Sequence, residues 1–382
     1  MPNQGTTDAG GDPGPRRWIG SGAVAKVLVG GATLALLAAG CGAGVAGRPA
    51  TKATQMAKSS FLGCMVTDTG GIDDRSFNAI SWEGMQSAAT ADHNIKVKYL
   101  QSTSSSDYVP NIRAFEADHC GIIVTVGFLM ATATQDAAQA HPSQKFAIVD
   151  YTYSPSLSNV LGLHYDTDQD AFLGGYLAAA MSKSHVVGTF GGEDIPTVTI
   201  YMSGFVAGVR YYDQKNNAQV KVLGWDPETN TGIFTGSFTD QSAGKLDATT
   251  LMDDGADIIF PVAGSVGLGA AAAVHAAGPP YYMEWVDTDG CVSAPMYCSM
   301  FITSVTKGIV ASVKTAVLEA AKGTFKGGNY NGTLRNDGVA LSPFHDFAKK
   351  IPAKVVSALS TIKQGIISGK ISTDPSHYPA VS

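Results

Sequence analysis

The sequence predicts an α/β protein built as two doubly wound, parallel-sheet lobes joined by a hinge of crossing segments. Three observations carry this prediction. Short apolar runs rich in β-branched residues alternate with longer segments at helical spacing. The short runs are apolar throughout, the pattern of parallel strands covered on both faces. Residues 41–382, which follow an export segment, suit two domains at roughly 100–200 residues each. Apolar residues make up 45% of the chain and charged residues 15%, a composition that packs a core rather than staying disordered.

FLGCMV (61–66) reads as the first strand, and a helix follows around Ser76–Ala91. KVKYL (96–100), GIIVTV (121–126) and FAIVD (146–150) continue the set, with helices near Tyr108–Ala117 and Thr132–Ala140. VLGLHYD (160–166) closes it. A second set opens with a helix over Gln169–Met181 and the strand HVVGTF (185–190). Helix Val198–Asp213, strand VKVLGW (220–225), helix Ser242–Asp253 and strand DIIFPV (257–262) come next. Helix Leu268–Ala277, strands YYMEWVD (281–287) and CSMFITS (298–304), and helix Lys307–Lys322 follow. These elements assign residues 61–165 plus 290–323 to lobe 1 and 166–289 plus 324–382 to lobe 2. The expected hinge segments lie near 165–168, 287–300 and 323–330.

The N-terminus reads as an export signal. Arg16, Arg17 and Lys26 precede a 13-residue apolar run from Val27 to Ala39. That run is short of the about 20 residues a membrane-spanning helix needs, and small residues follow it. Cys41, directly after Ala39-Gly40, is similar to the cysteine of a bacterial lipobox, whose sulfur takes a diacylglycerol. Residues 1–40 are then a lipoprotein signal peptide. Two or more acyl chains anchor stably where one does not. Residues 41–60 read as a flexible tether reaching about 25 Å. The expected location is the outer face of the cell membrane.

Residues 1–40 carry three basic and two acidic groups, so their removal takes the net charge from −6 to −7. With no Lys/Arg stripe, nucleic acid is excluded as a partner. Four cysteines follow Cys41, an even count that suggests disulfides in an exported protein. Cys291 and Cys298 flank a short loop and are expected to pair. Cys64 and Cys120 fall in neighbouring strands and either pair or stay buried and free. No CxxC and no histidine pair at ligand spacing occurs, so no metal is expected.

Ligands of doubly wound sheets bind beyond the carboxyl ends of the strands. Those ends are polar here. Strand 61–66 runs into Thr67-Asp68-Thr69-Gly70-Gly71-Ile72-Asp73-Asp74-Arg75-Ser76-Phe77-Asn78. Strand 257–262 runs into Ala263-Gly264-Ser265, strand 281–287 ends in Asp287, and Lys307 follows strand 298–304. The segment Asp166-Thr167-Asp168-Gln169-Asp170 lacks the glycine and glutamate of a calcium loop and reads as a helix start.

The segments GGIDDRSFNAISWEGM (70–85), DQDAFLGGYLAAAM (168–181), GGEDIPTVTIYMSGFVAGVRYY (191–212), DDGADIIFPVAGSVGLGA (253–270), VDTDG (286–290) and ITSVTKG (302–308) together resemble the basic membrane protein family of bacterial lipoproteins. The resemblance implies the type I periplasmic-binding fold and a substrate-binding role in an ABC importer, with purine nucleoside receptors among its members. It implies that Phe77 and Phe205, from opposite lobes, sandwich a flat base. Asp68, with Asn78 nearby, would accept from the base edge. Asp287 would accept both ribose hydroxyls, Lys307 would donate to the ribose, and Gly264 and Ser265 would allow close backbone approach. Implied partners are the ligand, the ABC permease and its ATPase, with the receptor working as a monomer, without a cofactor and not as an enzyme. Within the binding-protein class, a sugar or other small polar solute is the rival ligand. A nicotinamide enzyme is the rival class, through Gly267-x-Gly269-x-x-Ala272 with Asp287 downstream. Against it, the first glycine does not follow its strand directly.

Overall fold

The computed structural model describes residues 60–380. Cys41 and the expected signal peptide lie outside the described residues, as does all but the end of the tether. The first half alternates strands and helices: β1 (Phe61–Val66), α1 (Phe77–Ala91), β2 (Ile95–Leu100), α2 (Tyr108–Ala117), β3 (Ile122–Val126), α3 (Ala131–Ala140), β4 (Phe146–Val149) and β5 (Val160–Tyr165). The second half runs α4 (Thr167–Met181), β6 (Val186–Gly191), α5 (Pro196–Asn216), β7 (Lys221–Leu223), a hairpin of β8 (Trp225–Asp226) and β9 (Thr231–Gly232), α6 (Gln241–Asp253), β10 (Ile258–Val262), α7 (Val266–Ala277), β11 (Tyr282–Asp287), α8 (Gly290–Ser293) and β12 (Phe301–Lys307). The chain closes with α9 (Ile309–Lys322), β13 (Gly328–Gly332), β14 (Val339–Leu341) and α10 (Ala353–Ile367).

Two six-stranded sheets result, ordered β13-β5-β4-β3-β1-β2 and β14-β12-β11-β10-β6-β7. Every pairing in them is parallel except β14 on β12. The central strands β3, β4 and β10 are buried at every residue, as the unbroken apolar runs require. In each sheet the order reverses once, between β1 and β3 and between β6 and β10. Such a reversal leaves a crevice at the carboxyl edge. Among the described residues no helix is long and apolar enough to cross a membrane.

Sheet membership corrects the expected lobe boundaries. β12 belongs to the second sheet, whereas residues 290–323 were assigned to lobe 1. α9 packs on α1, and β13 pairs with β5, so the return to the first sheet begins only after Lys307. The crossings therefore fall at 165–167, 307–309 and 332–339. Residues 287–300 do not cross: they form α8 and a 3-10 turn beside the second sheet. That turn also moves the start of β12 from 298 to 301, so Lys307 ends the strand instead of following it.

Two small-residue helix faces join α4 to α5. A Cβ at Gly175 would meet the Phe205 carbonyl oxygen at 2.0 Å, and one at Gly208 would meet the Phe172 carbonyl oxygen at 2.0 Å. Only glycine permits such a close backbone approach. Cys64 is bonded to Cys120, tying β1 to the entrance of β3, and Cys291 is bonded to Cys298.

Candidate functional site

The carboxyl edges of the two sheets face one cavity of about 540 Å3, counting the part open to solvent. The first lobe contributes Asp68 after β1, Phe77 and Asn78 at the start of α1, Phe128 after β3 and Asp150 after β4. The second contributes Thr197 and Tyr201 of α5, Phe238 ahead of α6, Gly264 after β10, and Asp287 and Lys307 at the ends of β11 and β12.

One part of the cavity holds two carboxylates, Asp68 and Asp74, which both accept from Asn78 Nδ2. Asp74 organises the start of α1 by accepting from the backbone N–H groups of Ser76 (2.9 Å), Asn78 (2.7 Å) and Ala79 (3.0 Å). This satisfies donors that a helix start leaves unpaired. Asp68 Oδ1 accepts from the Gly70 N–H at 2.9 Å and from Asn78 Nδ2 at 2.8 Å. Asn78 Oδ1 is buried without a hydrogen-bond partner. Burial pushes the Asp68 carboxyl up to about 6, with the bonds from Asn78 and Gly70 opposing. Burial likewise pushes Asp74 up to about 7.

The other end is built around one cation. Lys307 Nζ donates to Asp150 Oδ2 at 2.5 Å and lies 3.5 Å from Asp287 Oδ1. It also sits 5.0 Å from the ring centres of both Phe77 and Tyr201. Burial lowers the lysine, but Asp150 and Asp287 outweigh it and raise its pKa above the ordinary value. Burial raises Asp150, against the pull of Lys307. Asp287 accepts from Tyr201 Oη at 3.1 Å and from Ser76 Oγ at 2.8 Å. Asp150 (φ 65°) and Asp287 (φ 66°) both hold a left-handed backbone that such residues seldom adopt. Strain of this kind gathers at ligand sites.

Six of the eight residues singled out from the sequence line this one cavity: Asp68, Phe77, Asn78, Gly264, Asp287 and Lys307. Ser265 stands beside it and donates through Oγ to the Phe238 carbonyl at 2.8 Å, holding that phenylalanine's loop. Phe205 does not face the cavity. It is fully buried and stacks on Phe260 with ring centres 5.2 Å apart. Tyr201, one turn earlier on the same stripe of α5, takes the cleft position, and Phe238 supplies the second lobe's ring. Asp74 falls within GGIDDRSFNAISWEGM, where nothing in the sequence separates it from Asp73. Asp150 stood at the end of FAIVD, where the strand-end rule would have found it. Phe238 follows no strand of either sheet and carried no such signal.

Other sequence signals resolve into packing. Gly269 abuts the Gln241 carbonyl, where a Cβ would come within 1.8 Å, and Gly267 lies against Trp285. The glycines of 267–272 thus sit inside α7, packed rather than facing a phosphate. Residues 166–170 form the start of α4 with Asp166 at its N-cap. Asp289, Cys291 and His345 place their ligand atoms within 4.8 Å of one another. The Cys291 sulfur is held in a disulfide, however, and has no thiolate to offer.

A solute-binding protein of an ABC transporter system from Aeropyrum pernix superposes with a TM-score of 0.74 at 24% identity, covering 82% of this chain and 92% of that one. A second such protein, from Conexibacter woesei, gives 0.62 at 20% identity over 82% and 98%. They establish the periplasmic-binding-protein fold. The ABC transporter nucleoside-binding protein BmpA of Lactococcus lactis is 28% identical over 370 residues, 91% of this chain and 98% of its own. A CD4+ T-cell-stimulating antigen of Listeria monocytogenes is 30% identical over 327 residues, 81% and 87% of the two chains. An uncharacterized lipoprotein of Pyrococcus horikoshii is 28% identical over 341 residues, 84% and 78%. The profile described as ABC transporter substrate-binding protein PnrA-like matches residues 61–374, and the chain belongs to that family of substrate-binding proteins.

Proposed function

We propose that this chain is the receptor of an ABC importer, lipid-anchored at Cys41 on the outer membrane face, that captures a purine nucleoside by hinge closure and delivers it to the permease. The observation that carries this reading is the pair of rings, Phe77 and Phe238, brought to one cavity from opposite lobes. A flat base between them gains stacking from both, roughly 0.5–1.5 kcal/mol per ring beyond burial. Asp68, with Asn78, reads the base edge. Asp287 accepts the sugar hydroxyls while Lys307 and Tyr201 hold its orientation, and Gly264 lets the backbone approach. The Lactococcus relative, described as nucleoside-binding, supports the same ligand class. The anchor reading draws on the Ala39-Gly40-Cys41 sequence and on the Pyrococcus relative described as a lipoprotein.

Calorimetry of the exported chain against adenosine, guanosine, inosine, ribose and galactose tests the ligand. Nucleosides are expected to bind at least a hundredfold more tightly than either sugar. The carboxylate-rich Lys307 end favours a second reading, a free sugar or other polyol, and tighter sugar binding would establish it. Mass spectrometry of the mature N-terminus tests the anchor, since an unmodified Cys41 removes it.

A further inference from the structure

Behind the Lys307–Asp150 pair lies a second chamber. It shares Asp150, Thr197 and Lys307 with the main cavity and is otherwise walled by His164, Tyr165, Thr167, Pro196 and Ile200. It holds about 340 Å3 of empty space, part of it open to solvent. Its walls are largely apolar: the Pro196 ring, the Ile200 side chain and the face of Tyr165, whose hydroxyl is engaged with Ser312 Oγ at 2.6 Å. The surrounding charge selects the occupant's class. Asp150 and Asp287 already share Lys307, and Asp166 lies 3.6 Å from His164. No cation is left over for an anion. Pro196 is exposed, so the chamber reaches the surface.

We propose that this chamber is a subsite for a neutral, mainly apolar substituent on the sugar end of the ligand. The cleft then accepts nucleosides extended at the 5′ position by an alkylthio or similar group and refuses a 5′-phosphate. This rests on the nucleoside reading, with the base between the two phenylalanines and the sugar at Asp287 and Lys307.

Calorimetry with adenosine, 5′-methylthioadenosine and adenosine 5′-monophosphate tests it. The thioether is expected to bind within about threefold of adenosine or more tightly, and the monophosphate at least about a hundredfold more weakly. Ile200→Trp fills the chamber from a position that does not line the main cavity. It should weaken the thioether at least about tenfold and adenosine less than about threefold. A thioether more than threefold weaker than adenosine, or a monophosphate as tight as adenosine, overturns the subsite. If Ile200→Trp does not fold, the ranking of the three ligands on the natural chain decides alone. Failure of both adenosine and the thioether to bind overturns the nucleoside reading and the subsite with it, whereas binding of adenosine alone overturns only the subsite.

Discussion

Ser76 of the first lobe donates through Oγ to Asp287 of the second at 2.8 Å, directly beside the cavity. The same carboxylate takes Tyr201 and Lys307 on its other oxygen. The residue proposed to accept the sugar is therefore also a fastening between the lobes. A buried hydrogen bond to a charged group is worth about 1.5–3 kcal/mol. Ser76→Ala is expected to weaken ligand binding about tenfold or more. On the proposed hinge closure this bond is made as the lobes meet, so stopped-flow kinetics should place the loss in faster dissociation. An unchanged dissociation rate would detach Ser76 from closure.

Phe238 and Phe205 separate cleft from core. Phe238→Ala should weaken nucleoside binding more than about tenfold and leave the melting temperature within a few degrees. Phe205→Ala should instead cost about 3–5 kcal/mol of stability, as a large core truncation does. Calorimetry paired with denaturant unfolding checks both, and the reverse pattern would restore Phe205 to the cleft.

Asp68 titrates at about 6, so binding should depend on pH. Only the ionised carboxylate accepts from ligand N–H groups on both of its oxygens. Affinity is expected to be full above about pH 7 and to fall below 6, approaching tenfold per pH unit. Asp74, at about 7, titrates nearby. Asp68→Asn should bind more weakly with a flattened profile, and a slope that survives in this variant would assign the effect to Asp74.

Glu284 lies fully buried in β11, neither carboxyl oxygen has a hydrogen-bond partner, and burial alone pushes it up to about 8. A carboxyl raised in the folded state gives stability that is complete below its unfolded pKa and lost as pH rises through the folded one. Between about pH 4.5 and 8 the group therefore removes about 1.4 kcal/mol per pH unit. Glu284→Gln cannot ionise. Its stability relative to the natural chain should rise across that window, read from urea midpoints at pH 5.5 and 8.

The two disulfides should contribute unequally. Their sequence separations are 56 for Cys64–Cys120 and 7 for Cys291–Cys298. On the chain-entropy scale, opening the first costs about 4 kcal/mol and the second about 2.5 kcal/mol. Unfolding of the Cys64→Ser/Cys120→Ser and Cys291→Ser/Cys298→Ser double variants checks the order.

The sheets were legible because buried parallel strands must be apolar at every position, and few other structures write that pattern. Asp68, Asp287 and Lys307 were legible because strand ends are where such sheets place polar groups. The assignment of Phe205 failed on periodicity. Residues 201 and 205 share one stripe of α5, and spacing cannot say which turn overhangs the cleft and which meets Phe260. The lobe boundary failed for a different reason: β12 joins the second sheet by pairing with β11, and an apolar run does not record which strand it pairs with. Phe238 depends on a loop whose path is fixed by distant contacts, among them Ser265.

Lys307 closes β12, and the next residue begins a crossing between the lobes. It is bonded to Asp150 on one side and lies beside Asp287 on the other. In a pair of jaws, the point nearest the pivot travels least. On the proposed hinge closure, the Lys307–Asp150 contact beside this crossing is expected to open least as the lobes part, so the sugar end of a nucleoside is expected to be held before the base is enclosed.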